Sequence, residues 1–429
     1  MIPALIDTLI EIRDALLGDL PMSSIEILKQ IPHSVSQGWD PIARSIIKPA
    51  DWHVPDAEKI LTPALMDPGY DGGKSTQLDA ALLLETELNK LQNDYTDFRL
   101  AVVRFRETGA PILGGIRKNE NAPGASTAKI AGLYALYQLL YEMTLLAVEL
   151  SITKISTLQR AANAVWARKG FKNNAAGNRL PRLSRLFKFY TSDFATIYRG
   201  RVGIVVKDHF GLSGSGPKLF FNEYILEKLW PDSLPPPRDE APGFSGGEKA
   251  GLLIRYVGYA YVASVMIQSG LFRPDPVAGI WVKWDYNGRD LPDTGAWPDT
   301  ENPIRTLPSV QNITAKSVAD FLTLLVQGRL VNQSASTEML DILARGPCEC
   351  NFHGSQLRST NDLVVIANKC GIENAADIYN DAMVVQTDDA AATKSVIVAL
   401  ANNRPLADDL EREYMDIFNQ IDHAIQTVS

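Results

Sequence analysis

The sequence predicts an α+β protein: an antiparallel sheet built from both ends of the chain, flanked by helices, with an all-helical region between the two sheet-forming segments. Three observations lead there. A helical periodicity followed by a strand-turn-strand pattern occupies residues 75–116, three strand-like runs and a last amphipathic helix follow residue 346, and the chain between is mostly helical in pattern. The expected organisation is an N-terminal helical extension over 1–74, a sheet domain from 75–150 and 344–429, and an all-helical domain over 151–343 with an insertion at about 153–249.

Each element has its own signal. Residues 1–73 read as helical pieces broken by Pro32, Pro41, Pro49, Pro55 and Pro63, ending in the turn-rich Asp67 to Gly73. From Ser75 to Leu91, Leu78, Ala81, Leu82, Leu84 and Leu88 repeat at helical spacing. Strands are expected over Phe98 to Arg106 and Pro111 to Ile116, joined by Glu107-Thr108-Gly109-Ala110. Asn121 to Ala125 is a stop signal, after which Ser126-Thr127-Ala128-Lys129 opens a long apolar helix running to Ile152.

The stretch from Thr153 to Lys249 reads as polar and helix-like, with Gly/Pro interruptions at Gly211 to Pro217 and Leu234 to Gly247. Ala250 to Ser269 reads as one buried helix, Pro274 to Pro308 as a loop, and Thr314 to Gly328 as a helix capped by Thr314. Ser334 to Leu343 continues the helical region. Strands return at Leu363 to Ala367, Ala382 to Gln386 and Ser395 to Leu400, and a helix closes the chain over about 407–425.

Composition narrows the function classes. At 429 residues with 45% apolar content the chain can bury a sizeable core, and a net charge of -8 works against a nucleic-acid or anionic-membrane partner. The basic stretch from Arg160 to Arg201 is read as a solvated helical face. Gln138, Glu142 and Glu149 interrupt the apolar run from Ile130 to Ile152, which favours a core helix over a membrane span. Three cysteines make no disulfide framework: Cys348 and Cys350 lie too close to bridge comfortably, and Cys370 is left over. The N-terminus reads as an amphipathic helix and not an export signal.

The chemistry points to Ser126. A serine and a lysine three apart on a helix share one face, so the amine can reach the hydroxyl, and a buried lysine loses its proton readily enough to act as general base. Ser45-Ile46-Ile47-Lys48, Ser151-Ile152-Thr153-Lys154 and Ser215-Gly216-Pro217-Lys218 share the spacing. Pro49 and Pro217 disrupt the first and last, and the middle one is read as lying within a helix. Only Ser126 follows a hairpin and a Pro-Gly stop and heads an apolar helix, where its N-H is free of intrahelical partners and can face an oxyanion. The other reading of Ser126 is a plain N-capping residue.

With these residues the chain resembles the serine β-lactamase and penicillin-binding-protein family, from about Ser75 to the C-terminus excluding roughly Thr153 to Lys249. Lys369-Cys370-Gly371 is similar to the family's Lys-Thr-Gly, and Asn380-Asp381 followed by Ala382 to Val385 is similar to its closing strands. The resemblance implies a β-lactamase/transpeptidase-like fold, with Lys369 anchoring a substrate carboxylate and the N-H of Ile372 completing the oxyanion hole. Cys370 replaces a hydroxyl residue and is a poorer donor. Tyr259-Ala260-Tyr261 looks like the middle motif with its asparagine replaced, so that Tyr259 would relay a proton and Tyr261 would contact substrate; equally, Tyr256, Tyr259 and Tyr261 suit a buried helix as core aromatics. Glu301 stands where class A enzymes resemble one another in carrying a glutamate that activates the deacylating water; a solvated loop carboxylate is the other reading.

Other schemes fare worse. The five histidines show no metal-ligand spacing and no phosphate loop occurs, so neither a metal nor a cofactor is expected. The expected activity is a serine hydrolase that forms an acyl-enzyme on a small-molecule or peptide substrate: a β-lactam, peptide or carboxylic ester. The alternative is a catalytically weak sensor or binding module with the same fold.

Overall fold

The computed structural model describes residues 98–106, 111–168, 180–190, 194–199, 202–207, 217–222, 225–226, 229, 247–274, 277–282, 311–345, 363–373, 378–387 and 393–402, with residues 88, 419–421 and 423–424. The expected extension over 1–74, Glu301, Cys348 and Cys350 lie outside the described residues.

The main sheet has five antiparallel strands drawn from both parts of the chain. They are β1 (Phe98–Arg104), β2 (Ile112–Ile116) and, after eight strands in small two-stranded ribbons, β11 (Leu363–Glu373), β12 (Ile378–Thr387) and β13 (Lys394–Asn402). Their order is β11-β12-β13-β1-β2, so β11 is an edge strand. Apolar residues alternate along each strand, and the two sets meet different neighbours. Leu100, Val102, Met383, Val385, Ile397 and Ala399 pack with the helical residues Leu88, Ile421 and Ala424 on one face. Ala101, Val103, Ala382, Val384, Val396 and Val398 face the large helical core on the other.

That core is organised around α1 (Ile130–Glu149), which follows the short 3-10 turn Ala125–Lys129. Apolar on all sides, α1 is buried along nearly its whole length, as a central helix must be. The helix is long and apolar enough to cross a membrane, yet 94% of that window lies inside the protein. Two of its buried polar residues are paired internally: Gln138 Nε2 donates to Glu142 Oε1 at 2.9 Å, and the Tyr261 hydroxyl donates to Glu142 Oε2 at 2.6 Å.

The expectation of an all-helical region over 151–343 is corrected. Besides α2 (Ile155–Arg168), the short α3 (Leu183–Leu186), α4 (Gly247–Val257), α5 (Tyr259–Gln268), α6 (Ala315–Val326) and α7 (Gln333–Arg345), it carries four two-stranded ribbons. These pair β3 (Phe187–Tyr190) with β6 (Lys218–Phe221), β4 (Phe194–Arg199) with β5 (Val202–Lys207), β7 (Phe272–Pro274) with β8 (Val277–Gly279), and β9 (Trp281–Val282) with β10 (Gln311–Asn312). Aromatic packing explains the first: Phe187 opposes Phe221 across the ribbon, and the Phe221 ring meets Tyr137 of α1 edge-on at 5.0 Å.

The helix expected from Ala250 to Ser269 is two, because Gly258 takes φ of 90°, a left-handed value that ends α4 and lets α5 start in a new direction. By contrast α6 begins where the sequence indicated. Thr314 Oγ1 accepts from the Ser317 N-H at 3.1 Å, while Ser317 Oγ accepts from the Thr314 N-H at 3.2 Å. Thr314→Ala should lower the denaturant midpoint by the equivalent of about 1 kcal/mol with an unchanged slope; an unchanged midpoint would show that the reciprocal cap contributes nothing.

Candidate active site

The turn Ala125–Lys129 is held from three sides. Before it, Ala122 forms an isolated antiparallel bridge with Ile313, exchanging N-H to O bonds of 2.8 and 2.9 Å just ahead of α6. Beneath it runs the edge of the main sheet. The Thr127 N-H donates to Gly124 O at 3.1 Å, closing the turn, and the Asn380 amide Nδ2 of β12 donates to Pro123 O at 2.8 Å and Gly124 O at 3.2 Å. Beyond it, the chain continues directly into α1.

Gly371 makes the close approach possible. A Cβ at this position would stand 2.6 Å from Gly124 O and 2.6 Å from Thr127 Oγ1, so no side chain fits. Sequence reading assigned Gly371 to substrate binding; its observed contact is with the turn that carries Ser126.

Within the turn, Ser126 alone is partly exposed, whereas Gly124, Ala125 and residues 127–130 are buried. Side chains three apart in a 3-10 turn eclipse one another, so Ser126 and Lys129 lie on the same edge. Ala125, directly before the serine, takes φ of 42°, a left-handed conformation that costs an alanine on the order of 1 kcal/mol or more and persists only where neighbours impose it.

Lys129 is 1% exposed. Burial, and then the positive charge of Lys369, lower its pKa from 10.5 to about 6, so at neutral pH its amine is mostly uncharged and has a lone pair to accept a proton. The coupling also shows that Lys369 reaches the same space from β11. Lys369 Nζ donates to Cys370 O at 2.7 Å.

Strand register explains which residues meet. Lys369 pairs with Ala382 and Gly371 with Asn380, all on the sheet face toward the helical core and the turn. Cys370 pairs with Asp381 and Ile372 with Tyr379, whose side chains belong to the opposite face. Cys370 is therefore corrected twice: it points away from the lysines, and it is disulfide-bonded, so it is neither a leftover thiol nor a donor to a substrate carboxylate. For Ile372 the side chain faces away, while its backbone remains on the edge strand, where half of the N-H groups face no neighbouring strand.

The two tyrosines separate. Tyr259 is buried at the first position of α5, directly after the bend at Gly258, at the helix start where the resemblance places the middle motif. Tyr261 does not belong to the site. Its hydroxyl is committed to Glu142, which lies thirteen residues beyond Lys129 on one continuous helix and hence about 20 Å away along its axis. Ser151 and Lys154 lie exposed in the link between α1 and α2, after the helix has ended, and not within it as expected. Sequence reading missed the contacts of Asn380 and the left-handed Ala125. An amide inside the apolar strand Ile378–Thr387 was the available signal for the first, because a buried amide needs partners. No comparable signal marked the second. Among the described residues no cluster of side chains is arranged to hold a metal ion.

The lowered pKa carries a stability cost. Between pH 6 and 10.5 the unfolded lysine binds a proton that the folded one does not, so burying Lys129 destabilises the fold fully below pH 6 and by less as pH rises toward 10.5. Lys129→Met should therefore be more stable than the unaltered chain at pH 7, by on the order of a few kcal/mol. Melting curves at several pH values check this: the gap should close toward pH 10.5, and a less stable variant at pH 7 would contradict the assignment.

The β-lactamase enzyme family matches residues 250–421, a stretch that contains Tyr259, Glu301 and Lys369 and begins after the Ser126 turn. Solved structures with similarity include a β-lactamase from Sphaerobacter thermophilus DSM 20745, 14% identical, covering 81% of this chain and 97% of that one with a TM-score of 0.42. A class A β-lactamase from Bacteroides cellulosilyticus DSM 14838 is 13% identical, covering 81% of this chain and 99% of that one with a TM-score of 0.43. A β-lactamase from Chitinophaga pinensis DSM 2588 is 13% identical, covering 80% and 99% with a TM-score of 0.43. These likenesses are remote, and the reading of the site rests on its own residues. No curated protein matches the sequence. Over residues 250–421, which carry α4 to α7 and the lysine-bearing edge strand of the sheet, the chain is similar to the β-lactamase enzyme family.

Proposed function

We propose that the chain is a serine hydrolase working through an acyl-enzyme on a strained amide or ester carbonyl. The observation that carries the reading is a buried, mostly uncharged Lys129 amine one 3-10 turn from the partly exposed Ser126. In this scheme Lys129 Nζ takes the proton from Ser126 Oγ as the oxygen attacks the carbonyl carbon. The N-H groups of Ser126 and Ile372 receive the negative charge on the carbonyl oxygen. Collapse of the tetrahedral intermediate expels the leaving amine or alkoxide, which takes a proton from Lys129 directly or through Tyr259. Water, activated by Glu301 or Lys129, then releases the acyl group. Lys369 attracts a substrate carboxylate and, by repulsion, keeps the Lys129 amine neutral. The substrate is a small β-lactam, peptide or carboxylic ester, and the reaction needs no metal or cofactor.

A second reading has its own observation. Cys370 is disulfide-bonded and Tyr261 is turned to Glu142, so two polar contacts implied by the resemblance are missing. This favours a sensor or binding module that acylates and releases slowly. Product counting separates the two: many products per chain identify a hydrolase, and one long-lived adduct per chain identifies the module.

Incubation with a fluorescent penicillin, a chromogenic cephalosporin and a p-nitrophenyl ester tests both. Ser126→Ala and Lys129→Ala should each lose labelling or hydrolysis by roughly a thousandfold or more; equal activity in Ser126→Ala would remove the mechanism. The rate of acylation should rise with pH through a midpoint near 6, where Lys129 gives up its proton. In Lys369→Met, loss of the repelling charge should move that midpoint upward, still short of 10.5 because burial is the larger cause. A midpoint unmoved in Lys369→Met would show that the two amines are not coupled.

A further inference from the structure

The Asn380 amide reaches from the sheet into the Ser126 turn, and strand chemistry does not explain it. It is 2% exposed in the middle of β12, where its neighbours on the same face are Ala382 and Val384. Its Oδ1 is buried and accepts no hydrogen bond among the described residues, so an apolar side chain would suit the strand better. What Asn380 does satisfy is specific. Both of its donor contacts, at 2.8 and 3.2 Å, go to the carbonyls of Pro123 and Gly124, the peptides immediately before the left-handed Ala125 and Ser126.

Two further features converge on the same carbonyl. Gly124 O also accepts the Thr127 N-H that closes the turn, and it lies 2.6 Å from where a Cβ on Gly371 would stand. Gly371 is the cross-strand partner of Asn380. One residue of the pair therefore opens the space into which the turn settles, and the other holds it there. A residue kept at φ of 42° against its preference requires such an external restraint, and the restraint acts on the peptide next to it.

We propose that Asn380 is a positioning residue for the nucleophile, clamping the Pro123 and Gly124 carbonyls so that the turn presents Ser126 at the angle from which it reacts. The assignment rests on the reading of Ser126 as nucleophile. Asn380 has no contact with substrate in this scheme; it acts through the turn alone. The clamp is polar and directional, so it depends on an N-H donor at this position and not on volume.

Asn380→Asp keeps the shape, loses the donors and sets acceptor oxygens against two carbonyls, while Asn380→Ala removes the clamp without adding an acceptor. The full chain, both variants and Ser126→Ala are mixed with excess fluorescent penicillin, and the labelled fraction, the rate constant at saturation and the concentration giving half that rate are followed. The clamp predicts a rate constant lower by roughly 100-fold in both variants, with the labelled fraction and the half-saturating concentration little changed. A rate constant within twofold of the unaltered chain overturns it. So does a loss confined to the labelled fraction, which marks a role in stability alone and is read equally from whichever variant folds. If the unaltered chain labels no better than Ser126→Ala, the nucleophile reading falls and the clamp with it; strong labelling of the unaltered chain with unaffected variants removes the clamp only.

Discussion

Two lysine side chains approach each other in a space with almost no access to water, and the rest of the site follows from that constraint. Neither burial nor a neighbouring positive charge tolerates a second ammonium group, so the more deeply placed amine, Lys129, gives up its proton near pH 6. An amine in that state is unusual on a protein surface and is chemically useful where a hydroxyl needs a base. The fold bears an energetic burden to maintain it, because the unfolded chain would gladly protonate the same lysine. Such a burden is the familiar signature of a site kept for activity at the expense of stability.

The geometry that brings the lysines together is a matter of register. Strand β11 lies at the edge of the sheet, and its alternation sends Lys369 and Gly371 toward the helical core while Cys370 and Ile372 face away. A shift of one residue would exchange the two sets. Gly371 lets the Ala125–Lys129 turn rest directly on the strand, the Ala122 to Ile313 bridge ties the turn to the start of α6, and α1 carries the chain from Lys129 into the core. Serine, lysine and strand are thus fixed by three separate elements, which suits a site that must hold its groups in place before substrate arrives.

Much of this was legible from residues alone, for identifiable reasons. Strand alternation, the Pro-Gly stop before Ser126 and the Thr314 cap are local signals, read within one turn or one hairpin, and all three have counterparts in the structure. Strands β11 to β13 run longer than expected, since their polar ends, among them Lys369, Asn380 and Lys394, continue the ladder where composition suggested loops. What was not legible depends on distant partners. The ribbon of β3 and β6 needs Phe187 to meet Phe221 and Tyr137, and the fate of Tyr261 is set by Glu142, 119 residues away in sequence. Nothing near Tyr261 distinguishes it from Tyr259; only the helix bend at Gly258 and the position of α1 do.

The protonation state of Lys129 is therefore the quantity on which the account stands. It is measured directly by following the 13Cε resonance of Lys129 through a pH titration of the full chain, assigned by its disappearance in Lys129→Met. The account predicts a midpoint near 6. A resonance that titrates near the ordinary lysine value of 10.5 would mean that the amine is charged at neutral pH, and Lys129 would then not be the base.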